Sequence, residues 1–120
     1  MGRLGTTDRR LLRLGESFVT LTLSTYLDTL DHNVPPEHIG HGLRALWWAG
    51  KNDWTEAHEI VQAHEGEPDS DWVHAWLHRR EGDNANARYW YRRARRTMHH
   101  GSLDDEWRAI VTALIAGSGY

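Results

Sequence analysis

Apolar residues in the middle of the chain recur at helical spacing, and the pattern repeats thirty residues further on. The matching positions carry the same kinds of residue: Ala45-Leu46-Trp47 with Ala75-Trp76-Leu77, Asp53 with Asp83, and Ala57 with Ala87. An internal period of this length is typical of helical hairpins that stack, because each unit hides its apolar face against its neighbour. The pattern therefore predicts an all-α fold of stacked antiparallel helical hairpins.

The first apolar stretch, over residues 8–31, supports two interpretations. Leu11, Leu14 and Phe18 keep the spacing of a helical stripe. Residues 19–24 also alternate between apolar and polar side chains, as a strand does. We favour a helix, since a lone strand would leave its backbone N–H and C=O groups without partners.

Turn and capping residues divide the rest of the chain into five further segments. Pro35-Pro36, Gly50-Lys51-Asn52 and Glu81-Gly82-Asp83 interrupt helical periodicity. Asp53 can cap the helix that follows it, and Ser102 can do the same for the last helix. The sequence thus predicts about six helices in all. The five helices that follow the first are predicted over residues of about 36–49, 53–64, 70–80 and 84–98, and the last begins after Ser102.

Length and composition favour one domain that needs no disulfide to fold. The chain has 120 residues and no Cys, which leaves His and carboxylates as its strong metal ligands. Neither a secretory leader nor a run of about 20 apolar residues is visible, so we expect a cytoplasmic protein that does not enter a membrane. We divide it into an N-terminal helix and linker (1–34), a helical repeat domain (35–116) and a frayed tail (117–120).

The segment Glu81–Ala94 resembles the inter-helix turn and second helix of a tetratricopeptide repeat. Small, aromatic and small residues stand at Ala87, Tyr91 and Ala94. The resemblance covers about residues 43–96 with degenerate repeats, and it implies a protein-interaction scaffold. Residues 72–83 also resemble short, uncharacterised bacterial proteins, and that likeness implies no activity.

His74 and His78 are four residues apart on the predicted fourth helix, where both imidazoles would share one face and could hold one metal ion. That face lies nearly opposite the apolar side formed by Trp72, Val73, Trp76 and Leu77, so the favoured interpretation is that the two His are solvated or line a groove and make ordinary hydrogen bonds. The preceding helices offer further ligands: His58, Glu59, His38 and His41. Zinc or iron would suit such a set, and Glu59 could serve as a base toward metal-bound water.

The predicted fifth helix has a basic face with one exposed ring. Residues 72–100 hold seven Arg against two acidic residues, although the whole chain carries a net charge of −3. Tyr89, Arg92, Arg93 and Arg96 fall on one side of this helix, and Trp48 lies off the apolar face of its own helix. Aromatic and Arg side chains are frequent anchors of interfaces.

These features lead to three functional hypotheses. The first is a scaffold that binds an acidic protein or peptide through Trp48, Tyr89, Arg92, Arg93 and Arg96, with no catalytic residues and no cofactor. The second is a metal-binding protein or small metalloenzyme centred on the His set. The third is single-stranded nucleic-acid binding by the Arg face, which the overall acidity disfavours. The first helix could in addition mediate a homodimer.

Overall fold

The computed structural model describes residues 11–14 and 17–117. A two-stranded antiparallel sheet precedes six α-helices, and a 3-10 turn over Thr29–Asp31 follows the first of them. The strands are β1 (Leu11–Leu14) and β2 (Ser17–Thr20). The helices are α1 (Leu23–Asp28), α2 (His41–Gly50), α3 (Trp54–Ala63), α4 (Pro68–Arg80), α5 (Asn84–Ala94) and α6 (Leu103–Gly117). The all-α class is confirmed for the body of the molecule.

The prediction of one helix over residues 8–31 holds over α1 (Leu23–Asp28) and is wrong over the two strands that precede it. β1 pairs with β2 in a register that sets Leu11 opposite Thr20 and Leu14 opposite Ser17. Of the alternating residues 19–24, only Val19 and Thr20 lie in a strand, and β1, just before β2, supplies the hydrogen-bonding partner that a lone strand would lack. Residues 8–10 of the predicted helix lie outside the described residues.

Two other helix boundaries differ from the prediction because of left-handed backbone. α2 begins at His41 rather than Pro36, since His38 has a φ of 66° and Gly40 is the extended N-cap. α5 ends at Ala94 rather than Met98, because Arg95 takes the left-handed conformation at the C-cap. The cap predicted for α6 is present, with the Asp105 N–H donating to Ser102 Oγ at 3.0 Å.

The N-terminal segment docks on the helical body through two buried hydrogen bonds. Tyr26 Oη donates to the Leu43 carbonyl at 2.5 Å, and Trp47 Nε1 donates to Thr29 Oγ1 at 3.0 Å. α1 also contacts α6. At the other end, Gly117, which we had placed in the frayed tail, is the last residue of α6, and residues 118–120 lie outside the described part.

α4 is the central helix, because it contacts α2, α3, α5 and α6. Every residue from Ser70 to His78 is buried, including the polar ones. A helix that is contacted on several sides has no fully solvated face, which is why its sequence is only weakly amphipathic. The central position of α4 determines the environment of His74 and His78, the two predicted metal ligands on this helix.

The two predicted turns have the same local geometry. Asp53 accepts from the Glu56 N–H at 3.0 Å, and Asp83 accepts from the Asn86 N–H at 3.2 Å. The residue before each Asp has a positive φ, 70° at Asn52 and 89° at Gly82. Both helices that follow thus begin in the same way, while a stack of duplicated hairpins stays a prediction.

Candidate metal centre

Three imidazoles from two helices meet between α3 and α4. His58 lies on α3, and His74 and His78 lie one turn apart on α4. His74 is 2% exposed and His78 is 6% exposed. The two His are therefore not solvated, because His58 of α3 and Trp90 of α5 pack against His74, while the alternative of ordinary hydrogen-bonded His stays open.

The spacing of the three rings suits a common ion. His58 Nε2 lies 3.1 Å from His74 Nε2, and one ligand nitrogen from each of the three His falls within 4.8 Å of the others. Two nitrogens bound to one tetrahedral zinc at 2.0–2.1 Å are about 3.3–3.4 Å apart. The pair formed by His58 and His74 is thus already held, by a hydrogen bond, at nearly the spacing that zinc requires.

The ring orientations also allow convergence on one point. The His58 plane is inclined by 80° to the His74 ring and by 75° to the His78 ring, with centroids 4.8 and 5.2 Å away. A nitrogen lone pair lies in its ring plane, so a ring that crosses two others can direct its nitrogen to the same centre as theirs. The His74 and His78 rings themselves stack at 4.9 Å with an inclination of 27°, so one of these two side chains must rotate before all three nitrogens meet at one ion.

His78 is oriented by a carboxylate on the turn after α4. Its Nδ1 lies 2.7 Å from Glu81 Oε2. When Nδ1–H donates to this carboxylate, the Nε2 lone pair remains for a metal, and carboxylates hold the far nitrogen of many metal-bound His in this manner. On the Nε2 side, the Asn86 amide nitrogen is 3.4 Å away.

Two indole rings wall the site. Trp54 stacks on His58 at 4.7 Å, and Trp90 stacks on His74 at 3.9 Å. Trp54 is itself anchored, because its Nε1 donates to the Leu77 carbonyl at 2.8 Å. The indoles restrict rotation of the imidazoles and exclude water from their faces, so the ligand geometry is preorganised.

Burial lowers the pKa of two of the imidazoles, His74 and His58. Burial, together with the neighbouring His58 and His78, lowers the pKa of His74 to about 3. Burial is also the main cause that lowers the pKa of His58. Nδ1 of His74 is buried and has no hydrogen-bond partner among the described residues. Neutral imidazole is the form that binds metal, and the proton shared between the two Nε2 atoms would have to move to an Nδ1 before both could coordinate one ion.

The other predicted ligands lie elsewhere. Glu59 is exposed on α3 and belongs to none of the metal-compatible groups among the described residues, and His38 is also exposed. His41 instead joins a second group with His64 and Glu67. In that group the imidazoles stack nearly parallel, 3.4 Å apart and inclined by 19°.

This second group is organised as an ion pair. His41 Nδ1 lies 2.9 Å from Glu67 Oε1, and the hydrogen bond from His41 is the main cause that lowers the pKa of Glu67. His41 and His64 are only half-buried and Glu67 is exposed, whereas His74 and His78 are both buried and Nδ1 of His74 has no hydrogen-bond partner among the described residues. We therefore regard the group of His58, His74 and His78 as the better metal centre.

The predicted binding residues of α5 form a partly ordered surface. Arg93 donates to Tyr89 Oη at 3.0 Å, and Tyr89 is 43% exposed. The Arg96 guanidinium lies 3.9 Å from the centre of the Trp72 ring, and Arg92 is exposed. Trp48, on α2, is half-buried and meets Trp47 edge to face.

Sequence reasoning missed the groups that surround the imidazoles. From the sequence alone, Glu81 is placed only in a turn, and Trp54, Trp90 and Asn86 receive no role beside the His set. One signal was present, since Glu81 follows His78 by three residues, the spacing at which side chains meet on a helix.

A comparison of the chain with protein-family models, curated proteins and solved structures finds no match. Among the described residues, no helix is both long and apolar enough to cross a bilayer. The function is therefore inferred from the positions and contacts of the residues of this chain.

Proposed function

We propose that this protein binds one divalent transition-metal ion through His58, His74 and His78. The observation that carries the proposal is the separation of 3.1 Å between Nε2 of His58 and Nε2 of His74, with a third buried imidazole beside them. A buried imidazole nitrogen without a hydrogen-bond partner lowers the stability of the fold, so its presence calls for an explanation such as a bound ion. Metal coordination would account for their burial, their neutral state and the carboxylate on His78.

Zinc is the ion that this donor set favours. Iron(II) sites of the common facial type include a carboxylate ligand, whereas the carboxylate here is hydrogen-bonded to the outer nitrogen of His78. Three neutral nitrogens bind zinc in tetrahedral sites and leave one position for a solvent molecule or another ligand. This donor set resembles that of catalytic zinc sites more than that of closed structural ones.

Protein purified without a His tag is expected to retain about one equivalent of zinc per chain, measured by elemental analysis after extensive dialysis. His74→Ala removes a direct ligand and should weaken zinc binding by about 100-fold or more, since loss of groups that only support a ligand already costs 10–100-fold. The affinity is measured by competition with a chromogenic chelator.

His41→Ala is the matched control, because it removes an imidazole of the other group. It should leave the zinc stoichiometry and affinity unchanged. Zinc below about a tenth of an equivalent in the wild type, or equal affinity in the wild type and His74→Ala, would rule the proposal out.

A second function is favoured by the arrangement on α5. We also propose that Tyr89, Arg92, Arg93 and Arg96 bind an acidic peptide segment. Two contacts support this proposal: Arg93 donates a hydrogen bond to the exposed Tyr89, and the Arg96 guanidinium stacks on Trp72. Both contacts order long side chains before a peptide binds, so these side chains lose less entropy on binding. Bidentate guanidinium groups suit carboxylates.

A fluorescently labelled, glutamate-rich peptide is expected to bind the wild type and to lose at least about tenfold in affinity to the double variant R93E/R96E, with weaker binding as salt rises. Anisotropy titration measures both effects. R44E on α2 reverses one exposed charge elsewhere and serves as the control. Equal binding by R93E/R96E would refute this function, and stronger, salt-sensitive binding of single-stranded DNA would favour the nucleic-acid hypothesis instead.

A further inference from the structure

Asn86 stands beside the three imidazoles and has no role in the proposed ligand set. It lies in the first turn of α5, half-buried, where its backbone N–H donates to Asp83 Oδ1. This capping bond fixes the backbone from which the amide extends. Its side-chain nitrogen is 3.4 Å from Nε2 of His78, and at that distance the amide N–H faces the lone pair that the metal would use.

Metal binding would change the partner of this amide. Once Nε2 of His78 coordinates an ion, its lone pair can no longer accept a hydrogen bond from Asn86. The amide N–H then faces the coordination sphere of the ion, next to the position that the three His leave open. A group at that position with an acceptor atom would restore the lost hydrogen bond.

The charge balance favours an anion at this position. Three neutral imidazoles leave the full charge of a divalent ion uncompensated in a site walled by Trp54 and Trp90. Glu81 is already engaged with His78. The first turn of α5 adds the positive end of a helix dipole on the side of Asn86.

On the premise that the metal site of the proposed function exists, we infer that its fourth position takes a small anion and that Asn86 donates the hydrogen bond that holds it. The ligand class is a monovalent anion with a compact donor atom, such as hydroxide, azide or the carboxylate of a small acid. Asn86 is in this account a binding residue for the exogenous ligand and not a ligand of the ion.

Cobalt(II) can replace zinc as a spectroscopic probe, because its d–d absorption depends on the ligands and the geometry of the site, whereas zinc has no such absorption. We expect sodium azide to shift the visible spectrum of the cobalt-loaded protein in a saturable way. N86A should retain cobalt and bind azide about tenfold more weakly, since one hydrogen bond to a charged acceptor is lost. N84A changes the exposed neighbouring amide and should behave as the wild type.

N86D supplies a second, independent test. A carboxylate in place of the amide can fill the open position itself, so cobalt affinity should rise and the azide response should disappear. A cobalt spectrum that ignores azide in the wild type, or equal azide affinity in the wild type and N86A, would overturn this inference alone. Failure to bind cobalt at all would overturn the proposed metal site, and this inference with it.

Discussion

Arg79→Met is expected to lower the free energy of unfolding by about 3 kcal/mol, measured by urea denaturation at pH 7. Arg79 Nη1 donates to Glu106 Oε1 at 2.7 Å, and Glu106 is only 2% exposed. Removal of the guanidinium leaves a buried carboxylate that keeps one strong partner, the Tyr91 hydroxyl at 2.6 Å from Oε2. Methionine retains the length of the apolar stem, so the loss reports the missing charge, together with the hydrogen bond from Arg79 Nη2 to the Gly101 carbonyl, rather than a cavity.

Two comparisons separate this effect from general damage. The triple variant R79M/Y91F/E106L removes all three side-chain polar groups of the network and should recover part of the lost stability, because no buried carboxylate remains and only the backbone of Gly101 and His99 loses a partner. Asp104→Ala disrupts the exposed pair with Arg108 on α6 and should cost no more than about 0.5 kcal/mol. If R79M and D104A destabilise the protein equally, the buried pair does not have the importance given to it here.

The starts of α3, α5 and α6 could be predicted well from the sequence, because local chemistry determines them, whereas α4 begins at Pro68, without a side-chain cap and before the predicted start at residue 70. Asp53, Asp83 and Ser102 each accept the backbone N–H that the capping rule assigns to them. The failures have a different cause. At Arg95 the chain adopts a positive φ that nothing in the residue type requires, so α5 stops four residues earlier than the apolar pattern suggests.

The N-terminal hairpin was missed because strand pairing is a non-local property. The alternation in residues 19–24 was seen, but the decision between strand and helix depended on whether a partner strand existed. Leu11 and Leu14 have helical spacing in the sequence and yet lie in β1. A short apolar run of this kind cannot be assigned by periodicity alone.

The candidate site was predictable only as a pair. The spacing of His74 and His78 placed both on one helical face, which the structure has. The third member required knowledge of how α3 packs on α4, and the sequence offered His58, Glu59, His38 and His41 without a way to choose among them. The burial of His74 and His78 could not be predicted either, because it follows from the central position of α4 and not from the residue pattern of this helix.

Metal-free protein is expected to lose about 2 kcal/mol of stability between pH 7 and pH 5 because of His74. The pKa of His74 is about 3 in the folded protein, against 6.5 for an unperturbed His. Below pH 6.5 the unfolded chain therefore binds a proton that the folded protein does not, and acid favours unfolding by up to about 1.4 kcal/mol per pH unit. Above pH 6.5 the imidazole is neutral in both states, and its contribution is constant. The lowered pKa of His58 acts in the same direction.

Urea denaturation in the presence of a strong chelator at pH 7, 6 and 5 measures this loss. His74→Phe keeps a flat ring that can stack on Trp90 and removes the titrating group, so its stability should fall less steeply over the same interval. His100→Phe replaces an exposed imidazole and should keep the slope of the wild type. Parallel pH profiles for the wild type and His74→Phe would mean that His74 is protonated as readily in the folded protein as in the unfolded chain. The enclosed, neutral imidazole pair described above would then be wrong.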